Sequence, residues 1–397
     1  MKCQICGCSE KKRLSKLCSN MKIMGPFFPD QDSSVVSCPK CGSVYVDTDA
    51  RQAAFTKYYA SEYSQSLSYF EVFGRDEAQS YYEQIEKRIS KYVHKDGHIL
   101  EIGGGIGELS KFLAEKGYTD ITVMEPSERC IRLCREKGLK TIQSDGFAGL
   151  EELENAFDFI IINHTLEHIL DFHKTLESAH RMLKPGCGMY VEVPDAAKYA
   201  ETEFVPYWFF TYEHIVHMCL ESFDNLARVF SYDVREKESY LKCHSYHVMY
   251  GILAKSDKQR EEPLRLHCVE EAVSGYIRSC EGKLKPVMDK IRQENVPLIL
   301  WGVGTSTAQL LNGNFDHCNV VKLVDSNPYR QNVIYTVAGK NLKIEDPSAI
   351  DTDDMILILP LMYDASIRRQ IKEMGLKNRV QSLIENYQTR RAASDKA

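Results

Sequence analysis

The sequence predicts an α/β protein: two regions of alternating strands and helices in series, behind a cysteine-rich opening segment. Three observations carry that expectation. From Gly97 onward, short apolar strands alternate with amphipathic helices, the pattern of a parallel sheet covered on both faces. A second alternation begins at Pro297. The 397 residues, 43% hydrophobic and 27% charged, suffice for two or three domains and exclude a globally disordered chain.

Other classes fall away on composition. The longest unbroken apolar run, around Met355–Leu359, is far short of the roughly 20 residues that span a bilayer. Met1-Lys2-Cys3-Gln4-Ile5-Cys6 opens without the apolar stretch of a secretory signal. A net charge of −6, from 50 basic and 56 acidic residues, argues against a protein that simply coats nucleic acid. Fourteen cysteines without a secretory signal point to reduced thiols and metal ligands rather than disulfides. A cytoplasmic location is expected.

Residues 1–54 hold Cys3, Cys6, Cys8, Cys18, Cys38 and Cys41. Cys3-x-x-Cys6 and Cys38-x-x-Cys41 form two pairs, and Cys41-Gly42 resembles a zinc-knuckle turn. Four thiolates arranged tetrahedrally suit Zn²⁺ and leave no open position, so the ion is expected to be structural. The 31 residues between the pairs require an inserted loop, and Cys8 and Cys18 are substitute ligands. So short a segment buries little core, which metal binding offsets by on the order of 10 kcal/mol.

Residues 55–96 read as a tyrosine-rich connector, with Tyr58, Tyr59 and Tyr63, and a helix over Glu77–Val93. Tyr82, Ile85, Ile89, Tyr92 and Val93 recur there at helical spacing. In residues 97–255 strands are expected at His98–Ile102, Ile121–Glu125, Lys140–Gln143, Phe157–Ile162 and Met189–Val193. Helices are expected at Leu109–Lys116, Ser127–Lys137 and Lys174–Leu183, with Gly138 and Pro185-Gly186 as stop signals. A further helix and two strands, near Asp233–Glu238 and Ser245–Leu253, follow Phe223. Residues 256–295 form a helical connector with an apolar stripe of Val269, Val273, Tyr276, Cys280, Leu284, Val287 and Ile291, kinked at Pro286. Residues 296–397 are the second α/β domain, with strands near Leu298–Trp301, Val320–Val324 and Met355–Leu359.

The most informative stretch is Ile99-Leu100-Glu101-Ile102-Gly103-Gly104-Gly105-Ile106-Gly107, a strand running into alternate glycines and then a helix. Its spacing does not fit the dinucleotide pattern Gly-x-Gly-x-x-Gly, whose third glycine position holds Glu108. A pyrophosphate needs a helix N-terminus free of negative charge, whereas a cationic ligand favours carboxylates nearby. Glu125 ends the next strand, 18 residues after Gly107, where a carboxylate accepts both hydroxyls of a ribose. Asp145-Gly146-Phe147 could line an adenine, and Asn163-His164 ends the fourth strand. All four lie at C-terminal strand ends, which converge on one crevice.

Glu101-x-Gly103-x-Gly105-x-Gly107, Glu125, Asp145 and Lys184-Pro185-Gly186 resemble the successive motifs of S-adenosylmethionine-dependent methyltransferases of the seven-stranded Rossmann-like class. The resemblance implies a sheet of order 3-2-1-4-5-7-6 with strand 7 antiparallel. It implies a donor held at Glu101, Gly103, Gly105, Gly107, Glu125, Asp145, Gly146, Phe147, Asn163 and His164.

His164-Thr165-Leu166-Glu167-His168 also matches the inverted zinc-protease signature, which needs both histidines on one helical face. His164 follows a strand directly, so the protease reading is rejected. Tyr212-Glu213-His214 sets an acid and an imidazole side by side among aromatics, a candidate acid/base pair. A cysteine-rich module, a central domain with Glu-His after its fifth strand, and a C-terminal α/β domain together resemble the C-methyltransferases of deoxysugar biosynthesis. That resemblance implies Glu213, His214 and His168 around the sugar. The family's tyrosine stands two residues before the glutamate, where this chain has Thr211; Tyr212 is one place off.

Trp301-Gly302-Val303-Gly304 is a second strand–glycine–helix junction, with Asp325 21 residues after Gly304. Alone it suits a nucleotide, NAD included. Within the resemblance, the domain helps hold a nucleotide-linked sugar, with Asp325-Ser326-Asn327-Pro328-Tyr329 as a cleft wall. The expected reaction is C-methylation of a nucleotide-diphosphate 4-keto sugar, with S-adenosylmethionine as donor and Zn²⁺ as structural ion. In it His214, supported by Glu213, takes the proton beside the ketone, and His168 or a tyrosine stabilises the enolate oxygen. Rivals are O- or N-methylation of a sugar or small metabolite, and RNA methylation, which six basic residues against one acid in the first 22 would suit. No nucleic acid and no membrane partner are expected, and the chain is expected to be a monomer or homodimer.

Overall fold

The computed structural model describes residues 1–17, 21–28, 33–61, 68–144, 151–202, 206–360 and 363–383. Strands β1 (Lys12–Lys16), β2 (Ser34–Ser37) and β3 (Val44–Asp47) pair antiparallel in that order. Helices α1 (Gln52–Tyr59), α2 (Tyr69–Phe73) and α3 (Arg75–Ile89) lead into the central region. The last of these begins and ends a few residues earlier than its apolar spacing predicts, with Gly74 immediately before it.

The central sheet is built from β4 (His98–Ile102), β5 (Asp120–Glu125), β6 (Lys140–Gln143), β7 (Phe157–Asn163) and β8 (Leu183–Pro194). Helices α4 (Glu108–Glu115), α5 (Glu128–Glu136) and α6 (Phe172–Met182) join them. After the short strand β9 (Val216–His217) and helix α7 (Ser222–Phe230), β10 (Tyr232–Lys242) and β11 (Tyr246–Lys255) complete it. The order is β6-β5-β4-β7-β8-β11-β10, which is 3-2-1-4-5-7-6 counted from the region's own first strand. The first five strands run parallel, and β11 is antiparallel to both neighbours. Strands buried on both faces need apolar runs, and Ile160, Ile161 and Ile162 of β7 are wholly inaccessible.

Helix α8 (Cys268–Glu294) then crosses to the second sheet. It runs through Pro286, which lies on its exposed face, and its buried stripe continues from Leu284 to Met288 rather than to Val287. That i, i+4 step keeps the apolar face on one side of a continuous helix. The second sheet contains β12 (Leu298–Trp301), β13 (Val320–Val324), β14 (Ile334–Val337), β15 (Lys340–Glu345), β16 (Met355–Ile358) and β17 (Val380–Ser382). Its order is β14-β15-β13-β12-β16-β17, with α9 (Thr305–Leu311) and α10 (Asp364–Glu373) among the connections.

One apolar core is continuous from Leu17 and Phe55 through Ile160 to Leu300 and Leu357. Among the described residues, no helix is long and apolar enough to cross a membrane. The N-terminal sheet and α8 meet the central domain at one point that matters for the site. Strand β9, directly after Glu213-His214, pairs with β3, and the Ile215 carbonyl accepts the Val46 amide at 2.7 Å. From the other side α8 holds the preceding loop: Cys280 Sγ meets the Tyr207 amide at 3.1 Å and the Tyr276 hydroxyl the Phe209 amide at 3.4 Å.

Candidate functional site

Four sulfurs gather in the N-terminal sheet. Cys3 Sγ lies 3.6 Å from Cys41 Sγ and Cys6 Sγ 3.5 Å from Cys38 Sγ, with all four within 4.8 Å of one another. A tetrahedron with metal–sulfur bonds of about 2.3 Å has edges of about 3.8 Å, so the arrangement fits a closed metal site. Both pairs make the same turn: the Gly7 amide reaches the Cys3 carbonyl at 2.9 Å, and the Gly42 amide the Cys38 carbonyl at 2.8 Å. Both glycines take the left-handed conformation. The sequence signalled only the second turn, although Cys6-Gly7 repeats the same dipeptide. The Cys8 thiol stays outside the cluster and its carbonyl accepts the Cys3 amide; Cys18 lies outside the described residues.

At the glycine loop, chemistry follows from what side chains would obstruct. A Cβ on Gly103 would stand 2.4 Å from Thr165 Cγ2, and one on Gly107 2.8 Å from Cys134 Sγ. Gly103, Gly105 and Gly107 all have positive φ. Glu125 supports the loop by accepting the Gly105 amide at 3.1 Å and the Ser127 amide at 3.1 Å. Burial pushes its carboxyl above the ordinary value. Glu101 lies beneath the loop, hydrogen-bonded by Ser110, and burial raises it to about 7, with Glu125 adding a smaller push in the same direction. Glu108 stands at the first position of α4 and accepts from the Ser68 hydroxyl (2.5 Å), the Tyr69 amide (2.8 Å) and the Tyr82 hydroxyl (3.1 Å). The connector is therefore strapped beside the loop, and this helix N-terminus is occupied by a carboxylate, not free for a phosphate.

Beyond β7 a buried polar network takes over. Asn163 Oδ1 accepts from the Tyr81 hydroxyl at 2.9 Å. His164 does not face the glycine loop. It is held between two buried carboxylates, Glu167 Oε1 at 3.2 Å from Nδ1 and Glu192 Oε1 at 3.2 Å from Nε2. Glu192 also accepts from the hydroxyls of Tyr81 (2.5 Å), Tyr240 (2.5 Å) and Tyr190. Burial alone would raise its carboxyl, but His164, the charge of Lys242 and the Tyr190 hydroxyl bring it down to about 2. Lys242 is buried beside the rings of Tyr69 and Tyr81, and desolvation lowers it to about 8.

The predicted pair Glu213-His214 meets His168 here. His168 Nδ1 is 3.0 Å from the Glu213 carbonyl and 3.2 Å from the Tyr59 hydroxyl, and its ring lies 4.8 Å from that of His214. Tyr58 donates to the Glu213 carboxylate. Burial, with His168 next to it, pushes His214 down to about 3, so its imidazole is neutral at ordinary pH. Thr211, Glu213 and His214 line a cleft of about 530 Å³ whose far wall is the C-terminal junction. Gly302, Gly304, Asp325 and Arg330 stand on that wall. The Arg330 guanidinium passes so close to Gly304 that a Cβ there would lie 2.3 Å from Nη1, and it reaches Asp325 Oδ2 at 3.4 Å.

Two expectations are corrected by this geometry, and a third cannot be placed. Tyr212 turns away from the cleft: its hydroxyl bonds to Thr48 and, at 3.4 Å, to Ser33, while its ring stacks on Phe55. It joins the N-terminal sheet to the central domain, because the residues on either side take the cleft-facing directions. His164 serves the carboxylate network. Asp145, Gly146 and Phe147 lie outside the described residues. Sequence reasoning missed Glu167, Glu192, Lys242 and Arg330, and named no partner for Tyr58 and Tyr59, although the Tyr-Tyr pair was visible.

Residues 75–237 match the methyltransferase-domain family, so the chain contains a methyltransferase domain. An uncharacterised protein of Methanocaldococcus jannaschii is 30% identical over 137 residues, 34% of this chain and 60% of that protein. The ubiquinone/menaquinone biosynthesis C-methyltransferase UbiE of Pseudoalteromonas translucida is 32% identical over 107 residues, 24% of this chain and 42% of that protein. The chain thus spans less than two thirds of the length of these relatives. A solved S-adenosylmethionine-dependent methyltransferase from Archaeoglobus fulgidus shares 16% identity at a TM-score of 0.38, covering 47% of this chain and all of that one.

Proposed function

We propose that this methyltransferase alkylates a carbon of a nucleotide-diphosphate-linked keto sugar, with S-adenosylmethionine as donor. What supports that donor at the glycine loop is that alternate glycines leave room for close approach, that Glu125 at the next strand's end has lone pairs for a ribose beside its bonds to the Gly105 and Ser127 amides, and that Glu108 disfavours a pyrophosphate at the helix end. When bound, the donor supplies an electrophilic methyl group and leaves as a neutral thioether. The observation that carries the acceptor is the cleft itself. One wall presents Glu213 and His214, the other the cationic Arg330 beside a glycine turn, and its volume suits a nucleotide-linked substrate.

The chemistry follows from the wall residues. A ketone acidifies the neighbouring C–H, and in this reading Glu213, hydrogen-bonded by Tyr58 on the cleft wall, takes that proton instead of His214, the base expected from the sequence, with His214 adjoining. The electron pair of the broken C–H bond is held on the ketone oxygen, where a hydrogen bond from the protein lowers the barrier; as the carbonyl re-forms, the α-carbon bonds to the methyl carbon and the methyl–sulfur bond breaks, its pair leaving on sulfur. The test is incubation with keto sugar in D₂O without donor. Deuterium should enter the carbon beside the ketone, and NMR of the product formed with donor should show a new C–CH₃ group. Absence of exchange together with an O- or N-methyl product would replace this reading by the second one, which Thr211 favours by standing in the cleft where the resembled family has a tyrosine.

We also infer that the four cysteines hold structural Zn²⁺, supported by the sulfur spacing and the paired glycine turns.

Glu101 offers a check on the donor side. An acid raised by folding from 4.5 to about 7 stabilises the fold while protonated. That contribution is complete below about pH 4.5 and gone once the pH passes about 7. Glu101→Gln should therefore be more thermostable than wild type at pH 8, by on the order of 3 kcal/mol, and no more stable at pH 4. A cationic donor should bind it more weakly, as calorimetry at pH 8 would show.

A further inference from the structure

We infer that Glu167, His168 and His214 form a site for one divalent metal ion that adjoins the cleft through His214, distinct from the four cysteines. The three side chains come from the turn after β7 and the loop before β9, and their ligand atoms lie within 4.8 Å of one another. The Ile215 amide donates to the Glu167 carbonyl at 2.6 Å and so fixes the two segments together.

Three features mark them as ligands. Glu167 is 2% exposed, yet its Oε2 has no hydrogen-bond partner among the described residues. His214 Nδ1 is buried and equally unpartnered. His168 Nδ1 faces the Glu213 carbonyl, which only accepts, so Nδ1 carries a proton and Nε2 is the ring nitrogen toward Glu167 Oε1, 3.9 Å away. A carboxylate oxygen and two imidazole nitrogens within 4.8 Å of one another form a donor set that a cation would balance. An unpartnered buried polar atom costs about 1–3 kcal/mol, and such atoms are uncommon in native proteins.

The surrounding contacts are those a metal site needs. A backbone carbonyl on the far nitrogen sets the tautomer and orientation of a ligating histidine, as the Glu213 carbonyl does for His168. His164, 3.2 Å from Glu167 Oε1, orients the carboxylate in the same way. Two imidazoles and one carboxylate with open positions suit a first-row divalent ion, whereas four thiolates suit zinc. Resting on the proposed keto-sugar chemistry, the ion would polarise the ketone as a Lewis acid. His214 is then a ligand, and Glu213 alone takes the proton from carbon.

Full-length protein loaded with zinc at the cysteines is titrated with Mn²⁺, which thiolate sites hold poorly, and followed by EPR. One Mn²⁺ per chain is expected, with imidazole nitrogen coupling in the pulsed spectrum. Affinity should fall about tenfold or more in Glu167→Gln at unchanged zinc content and circular dichroism. Should that variant misfold, His214→Gln must show the same loss. No stoichiometric uptake, uptake without nitrogen coupling, or equal affinity in the folded variants would overturn the site, the first being the result if a proton alone balances the cluster. No sugar enters this experiment. Failed uptake leaves the keto-sugar reading standing, and uptake without sugar turnover sinks only that reading.

Discussion

Cys38→Ser is expected to lose bound zinc and to unfold the N-terminal sheet, with loss of activity as well as stability. Strands β1, β2 and β3 are four or five residues long, and their satellite core is little more than Val36, Tyr45 and the cysteines. A structural zinc contributes apparent binding energies of about 10–16 kcal/mol in small zinc modules, as large as the about 5–15 kcal/mol stability of a whole domain. The loss would not stay local. Strand β3 pairs with β9, two residues beyond His214, and Gly42 packs so closely that a Cβ would lie 1.6 Å from the Leu266 carbonyl oxygen ahead of α8. Metal analysis and thermal unfolding check this: one zinc per chain in the wild type, none in Cys38→Ser, and a large fall in Tm. Cys8→Ser should keep both zinc and Tm, because its thiol lies outside the cluster. Retention of zinc by Cys38→Ser would show that the ligand set is wrong.

Much of this was legible from the chain because the signals were local. Each parallel strand of the central sheet except the edge strand β6 contains a short apolar run, and the glycine loop announces itself by residues that only a backbone of positive φ and close packing requires. What escaped depends on contacts between distant segments. Tyr58 and Tyr59 reach Glu213 and His168 across more than a hundred residues of sequence, so their spacing carried no signal. Tyr212 looked right for its place one residue from the expected tyrosine, but its ring stacks on Phe55 away from the cleft that Thr211 and Glu213 line, a direction that only the folded chain sets. Glu192 sat inside a stretch that reads as a core strand; the one signal was a carboxylate in Met189-Tyr190-Val191-Glu192-Val193. Glu167 belonged to a motif rejected as a protease signature, and the rejection hid its value as a buried acid. The third group beside Glu167 and His168 comes from 46 residues away.

Glu213→Gln is expected to lower kcat by about 10²–10⁴, the usual contribution of a positioned general base, while KM for the sugar changes little. The amide keeps the shape of the side chain and can still accept from Tyr58, so a fall confined to kcat reports lost basicity rather than lost folding. Deuterium exchange at the carbon beside the ketone must disappear in parallel with methyl transfer, since both begin with the same proton. If exchange survived in Glu213→Gln while methylation was lost, the proton would be taken elsewhere and Glu213 would serve only to position the sugar. Tyr212→Phe provides the contrast. It removes a hydroxyl bonded to Thr48 and Ser33, outside the cleft, so it should cost about 1 kcal/mol of stability and leave exchange and kcat unchanged. Two substitutions one residue apart would then separate the wall that does the chemistry from the rivet that holds that wall in place.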